Sequence, residues 1–211
     1  LFDNNIPWWN EFDRYKRPIS EYLLRACVAK DVNMTDWNVS RIKDMSKLFI
    51  GLEYFSQDIG KWDVSNVENM RMMFCDIKNF NQDISRWDVG NVKDMSSMFS
   101  NAFNFNLDLT NWDVHNVKTM DQMFCRAYDF NGDLSNWNVQ NVSSMSGMFQ
   151  NARSFNGDLS DWNVRNVIDM SYMFDGAESF DQDLSNWDVK NVKTMNSMFY
   201  NAQNLDSNIG N

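Results

Sequence analysis

Residues 133–149 read DLSNWNVQNVSSMSGMF, and residues 158–174 read DLSDWNVRNVIDMSYMF. The tryptophan, valines, methionines and phenylalanine are kept, while the letters between them change. Extended in both directions, the match becomes a ruler. Trp37, Trp62, Trp87, Trp112, Trp137, Trp162 and Trp187 follow one another at 25 residues, and Met45 to Met195 and Phe49 to Phe199 keep the same spacing. A fixed period of about 20–50 residues marks a stacked repeat, in which each unit buries its apolar face only against its neighbours. The period predicts one elongated, right-handed α/β repeat solenoid of about seven coils over residues 33–211. A propeller would need about 40 residues per blade.

Within one unit, residues 66–77 read NVENMRMMFCDI. Val67, Met70, Met73, Phe74 and Ile77 recur with helical spacing, and Asn66 stands where an N-cap would. A short helix or helical turn is therefore expected here. The stretch NFNQDISRWDV that follows lacks the helical stripe, so a short strand is expected near Gln82–Ser85, then a turn at Trp87–Val89. Each coil is thus one short strand plus a short helix or helical turn. Residues 1–32 stand outside the period and read as an N-terminal capping segment. It holds Trp8, Trp9 and a short helix from about Ile19 to Ala29, whose apolar side is Tyr22, Leu23, Ala26 and Cys27.

The repeated letters sort into columns. The seven tryptophans above and the Met and Phe columns are structural core, since their phase is fixed and sulfur packs well against rings. Fifteen methionines are therefore not read as a soft-metal site. Asn66, Asn91, Asn116, Asn141, Asn166 and Asn191 form a structural polar ladder for backbone groups that turns leave unpaired. Asp58, Asp83, Asp108, Asp133, Asp158 and Asp183 form a second column. Stacked carboxylates repel by about 1 kcal/mol in water, so backbone donors should satisfy them. No cofactor or metal is expected; if a cation bound, Asp83, Asp108 and Asp133 would hold it.

Net charge is −10, which disfavours nucleic acid or an anionic membrane surface as partner. No apolar run approaches the roughly 20 residues of a membrane span, and no targeting signal is visible. Cys75 and Cys125 share a repeat position two units apart. At about 5 Å per coil they lie about 10 Å apart, beyond the roughly 7 Å that a disulfide bridges.

The motif W-D-V-x-N-V-x-x-M-x-x-M-F-x-x-A, here WDVGNVKDMSSMFSNA at 87–102, resembles a known repeat. It is similar to the bacterial surface-protein repeat of mycoplasma lipoproteins, grouped with the BspA-like leucine-rich repeats. The likeness runs over residues 33–209. It implies a leucine-rich-repeat-like solenoid displayed on a cell surface or outside the cell.

An enzyme is not expected. The single histidine, His115, sits at a position filled elsewhere by Ser65, Gly90, Gln140, Arg165 and Lys190, with no nucleophile to serve. Binding is the natural use of a repeat array, and variable columns are where to look. One holds Phe103, Tyr128 and Arg153 on successive units, residue types favoured as interface anchors. Another holds Met72 and Tyr172. The C-terminal end, which stops one residue before the next tryptophan is due, is expected to be uncapped and to expose Phe199, Leu205 and Ile209. It would dock on a neighbouring protein or continue into further repeats. Two function classes follow: a protein-binding module for surface recognition or adhesion, or a structural scaffold fixed inside a larger assembly.

Overall fold

The eight N–H to C=O bonds that a 12-residue helix would make within residues 66–77 are not made. In a computed structural model of the chain, which describes residues 18–30 and 32–207, this stretch is a run of turns. Met72 and Asp76 sit at φ +56° and +63°, a conformation no α-helix admits. The reason lies in where the backbone donors go. Met70, Met72, Phe74 and Asp76 give their N–H groups to Asp94, Ser96, Met98 and Ser100 of the next unit, at 2.9 Å each. Met73 and Cys75 close local turns onto Met70 and Met72. Bonding alternates between the next unit and the local turn. Four such bonds to the next unit recur at every junction from Met45 to Gly176.

The apolar stripe nevertheless faces inward: Val67, Met70, Met73, Phe74 and Ile77 are fully buried. Successive tight turns return the chain to one side about every third residue, as a helix does, so burial alone does not separate them. The expected strand at Gln82–Ser85 is also absent. Units instead meet through single parallel bridges joining Asp44, Asn69, Asp94, Thr119, Ser144, Asp169 and Thr194 in series. The Asp and Asn residues among them have low strand propensity, and the pairing comes from the neighbouring unit rather than from the local sequence.

Ring stacking runs through the whole series. Phe49, Phe74, Phe99, Phe124, Phe149, Phe174 and Phe199 lie 5.5–5.7 Å apart, centroid to centroid. Beside each of these rings from Phe49 to Phe174 a second phenylalanine lies closer, at 3.9–4.2 Å, as Phe105 does beside Phe99 at 3.9 Å. The seven tryptophans of the repeat are 2–8 % exposed. From Trp62 to Trp187 each indole Nε1 donates to the carbonyl 28 residues earlier, at 2.9–3.1 Å. Trp37 Nε1 is buried and has no partner among the described residues.

The first unit has no unit before it among the described residues, and α1 (Glu21–Val28) lies there instead. Ser20 caps it by accepting from Leu23 N at 3.4 Å. Its buried face is Leu24, Cys27 and Val28; Tyr22, expected on that face, is 81 % exposed. The shift follows from the helix being anchored by a polar residue. Arg25 donates through Nη1 to Ser46 O at 2.8 Å and through Nη2 to Asp44 O at 3.2 Å. In later units the equivalent carbonyls, Asn69 O and Arg71 O, accept the backbone N–H groups of Met45 and Lys47. One guanidinium thus stands in for two peptide donors, and its position turns Tyr22 to solvent. Trp8 and Trp9 lie outside the described residues.

Candidate binding face

Residue 103 and its equivalents occupy a corner whose backbone is pinned from unit to unit. The carbonyls of Lys78, Phe103, Tyr128, Arg153 and Glu178 accept the N–H groups of Asn104, Asp129, Ser154, Ser179 and Asn204, at 3.0–3.3 Å. That pinning raises the side chains in register. Phe103 and Tyr128 stack at 4.7 Å with their planes 21° apart. The Arg153 guanidinium carbon lies 4.8 Å from the Tyr128 ring centre, a cation–π distance. Arg153 Nε continues to Glu178 Oε1 at 3.3 Å. On the N-terminal side, Lys78 Nζ pairs with Glu53 Oε1 at 3.1 Å. Aromatic, cationic and acidic groups therefore form one continuous surface row from Phe103 to Glu178.

The other candidates are placed differently. Met72 and Tyr172 share the left-handed corner column with Lys47, Ser97, Gln122, Gly147 and Ser197. Three units separate them, with Ser97, Gln122 and Gly147 between, so they form no joint patch. Tyr172 is 44 % exposed. Phe199 stacks on Phe174 at 5.6 Å, and Phe199 and Leu205 are half-buried against the core. Ile209 lies outside the described residues.

The Asn66 column spans the junctions. Asn66, Asn91, Asn116, Asn141, Asn166 and Asn191 each donate through Nδ2 to a carbonyl 26 residues earlier, at 2.7–2.8 Å. A further ladder went unread in the sequence. Asn106 Oδ1 accepts Asn131 N, Asn131 accepts Asn156 N, and Asn156 accepts Asp181 N, at 2.8–2.9 Å. The F-N pair that recurs at 80–81, 105–106, 130–131 and 155–156 was its signal. A surface triad also went unread: Glu68 lies between Lys43, at 3.0 Å, and Lys93. Hydrogen bonds from Lys93 and then Lys43 pull its carboxyl down to about 2. Surface pairs of this kind add little stability.

The aspartates turn inward on their own loops. Asp83 Oδ1 accepts the Ser85 hydroxyl at 2.7 Å and N–H at 3.0 Å. Asp108 does the same with Thr110, and Asp133 accepts Ser135 N at 2.9 Å. Among the described residues no three His, Cys, Asp or Glu side chains converge on one point. The hydroxyl and then the amide hold Asp83, Asp108 and Asp183 below the ordinary carboxyl value of 3.8; for Asp158 the Ser160 amide leads. The sign for stability follows. The unfolded chain takes up protons first, so stability is complete above the unfolded value and falls as pH drops through the folded ones. The melting temperature should be level above about pH 5 and decline below it. A melting temperature that rises on acidification would refute the turn assignment.

Burial pushes the Cys75 thiol up to about 12, helped by the Asp76 charge, and burial raises Cys125 as well. Both stay protonated and unreactive at neutral pH. No helix among the described residues is long and apolar enough to cross a membrane.

Comparison with known proteins places the chain in a family. No curated protein matches it. The model of the family described as "Mycoplasma protein of unknown function, DUF285" matches twice, over residues 20–137 and 126–211. Two matches of one repeat-type model along a single chain agree with its unbroken 25-residue period, and the chain belongs to this Mycoplasma family.

Proposed function

We propose that the chain is a non-enzymatic protein-binding module, built as a leucine-rich-repeat-like solenoid, and that it binds through the Phe103–Tyr128–Arg153 row. One observation carries the reading. At a corner where other units place Glu53, Lys78, Glu178 and Gln203, three successive units place two stacked rings and a guanidinium. Nothing in the core needs them, since the core columns are filled without them. Rings and arginine held in a rigid row lose little side-chain entropy on contact, which is what interface anchors require. Recognition or adhesion fits such a row better than a passive scaffold, whose variable columns would carry no shared chemistry.

The test replaces Tyr128 with a photo-crosslinking phenylalanine analogue and, separately, Asp161, an exposed residue of another column. A discrete partner protein should be captured from position 128 and not from position 161. Arg153→Ala should then weaken that complex by about tenfold, the effect of an anchor worth over 1 kcal/mol. Equal capture from both positions, or unchanged affinity in the Arg153 variant, would refute this face.

A further inference from the structure

The column that holds Cys75 and Cys125 continues as a thiol, a carboxamide and a carboxylate on successive units. It reads Cys75, Ser100, Cys125, Gln150 and Asp175. The carbonyls of Cys125, Gln150 and Asp175 accept the N–H groups of Asn101, Arg126 and Asn151 at 2.6–2.8 Å, which keeps the column in line. Cys125 is 8 % exposed, and its Sγ lies 3.8 Å from Gln150 Oε1. Gln150 Nε2 donates to Asp175 Oδ2 at 2.8 Å. The carboxamide is thus held at both ends, its oxygen toward the sulfur and its nitrogen toward the carboxylate. Burial leads in keeping the Cys125 thiol protonated, while the Arg126 charge and a hydrogen bond with Ser100 pull toward the thiolate. Burial shields that sulfur from solutes, but not from an electrophile already in contact with it. Cys75 has Ser100 in the corresponding place, which offers no carbonyl carbon.

We propose that Cys125 and Gln150 form an internal thioester, and that this bond is an acyl donor to primary amines. Cys125 Sγ attacks Gln150 Cδ, and the thiol proton passes to Nε2. The Cδ–Nε2 bond breaks, ammonia leaves, and the new Sγ–Cδ bond remains. No oxidant or cofactor enters the balance. Groups held in contact and aligned react at effective molarities of about 10⁵ M or more, and escape of ammonia into solvent draws the reaction forward. Asp175 acts as a positioning residue, keeping Nε2 turned from the sulfur. A lysine ε-amine of a partner then attacks Cδ. An amide forms between that lysine and Gln150, and the sulfur leaves as the thiol. Each chain consumes its own carboxamide once, so this is a single acyl transfer and not turnover. Cys125 and Gln150 stand three residues before Tyr128 and Arg153, beside the candidate row. The thioester forms whether or not that row binds a protein, so neither reading depends on the other.

The test is intact-mass analysis and peptide mapping of the folded full chain, with methylamine as the acyl acceptor. The chain should lose the mass of one ammonia, and the loss should map to a joined pair of peptides carrying Cys125 and Gln150. Alkylation in denaturant should then find Cys75 and miss Cys125. Methylamine should release the Cys125 thiol and leave a methylamide on Gln150. Its uptake there should exceed that at exposed Gln140 by about a hundredfold or more, the advantage of a nucleophile held in contact. Cys125→Ala should abolish the mass loss, and Cys75→Ala should keep it. Gln150→Glu, which keeps the side chain's size and lacks only the leaving nitrogen, should abolish it too. A chain of full mass, in which Cys125 alkylates as Cys75 does and Gln150 takes up no methylamine, overturns the proposal. So does an ammonia loss that survives in Cys125→Ala. That result would place it at Asn131–Gly132 or Asn156–Gly157, where a backbone nitrogen can close on the asparagine carboxamide.

Discussion

Trp112→Ala is expected to destabilise the chain by about 3–5 kcal/mol, the range for truncating a large buried aromatic. The indole is 2 % exposed, and its ring centre lies 6.2 Å from that of Phe99 in the preceding unit. Its Nε1 donates to Ile84 O at 3.1 Å, across the same junction. Removing it opens a cavity between two units and strips a buried carbonyl of its side-chain donor. In a linear array stability is nearly a sum of unit and junction terms. A central lesion should therefore also lower cooperativity, and the two halves should begin to unfold separately. Trp112→Phe keeps most of the ring contact and loses only the hydrogen bond, so it should cost about 1 kcal/mol. Urea unfolding followed by circular dichroism and by tryptophan fluorescence reads both effects. An unchanged midpoint for the alanine variant would put the indole at the surface and refute the column's place in the core.

The columns of that core were legible in the sequence because translation by 25 residues repeats every burial. What the period cannot give is the path of the chain inside one unit. Residues 66–77 read as a short helix or helical turn because the apolar letters carried the reading. The polar letters held the contrary signal. The position of Asp76 is filled by Gly51, Asn101, Arg126, Asn151, Gly176 and Asn201, and all of these residues have positive φ. Glycine, asparagine and aspartate are the residues that tolerate the left-handed region. A column so enriched in them, two positions after a buried phenylalanine, argues for a turn. The Met72 column shows why this signal is incomplete. It is equally left-handed, yet it carries Lys47, Gln122 and Tyr172, because the bonds to the next unit impose the conformation whatever the side chain. Strand positions failed for the same reason. Asp94 and Thr119 bridge because of what lies beside them, not because of what they are.

The candidate face was legible to the same depth. Phe103, Tyr128 and Arg153 stand 25 residues apart, so the period alone makes them neighbours. The extension of the row to Glu178 depends on an arginine rotamer, and no periodicity specifies that. Met72 and Tyr172 were grouped only by sharing a column. A shared column makes a patch when the residues are on adjacent units, and these are four units apart.

Asn141→Asp should cost about 2–3 kcal/mol at neutral pH, for one atom changed. Asn141 is half-buried, and its Nδ2 donates to His115 O at 2.7 Å. The aspartate sets an oxygen against that carbonyl, replacing an attraction by a repulsion in a partly desolvated junction. Its carboxyl should therefore titrate above the ordinary value, since only the protonated form can donate. The cost is then full while the carboxylate is ionised and shrinks as pH falls toward the unfolded value near 4. This slope is opposite to that of the parent, whose turn aspartates lose their contribution on acidification. Urea midpoints of parent and variant at pH 7 and about pH 4.5 separate the two. The gap should narrow at the lower pH even as both proteins weaken. A gap that stays constant, or is absent at neutral pH, would mean that Asn141 does not donate across the junction, and that the ladder it belongs to holds no units together.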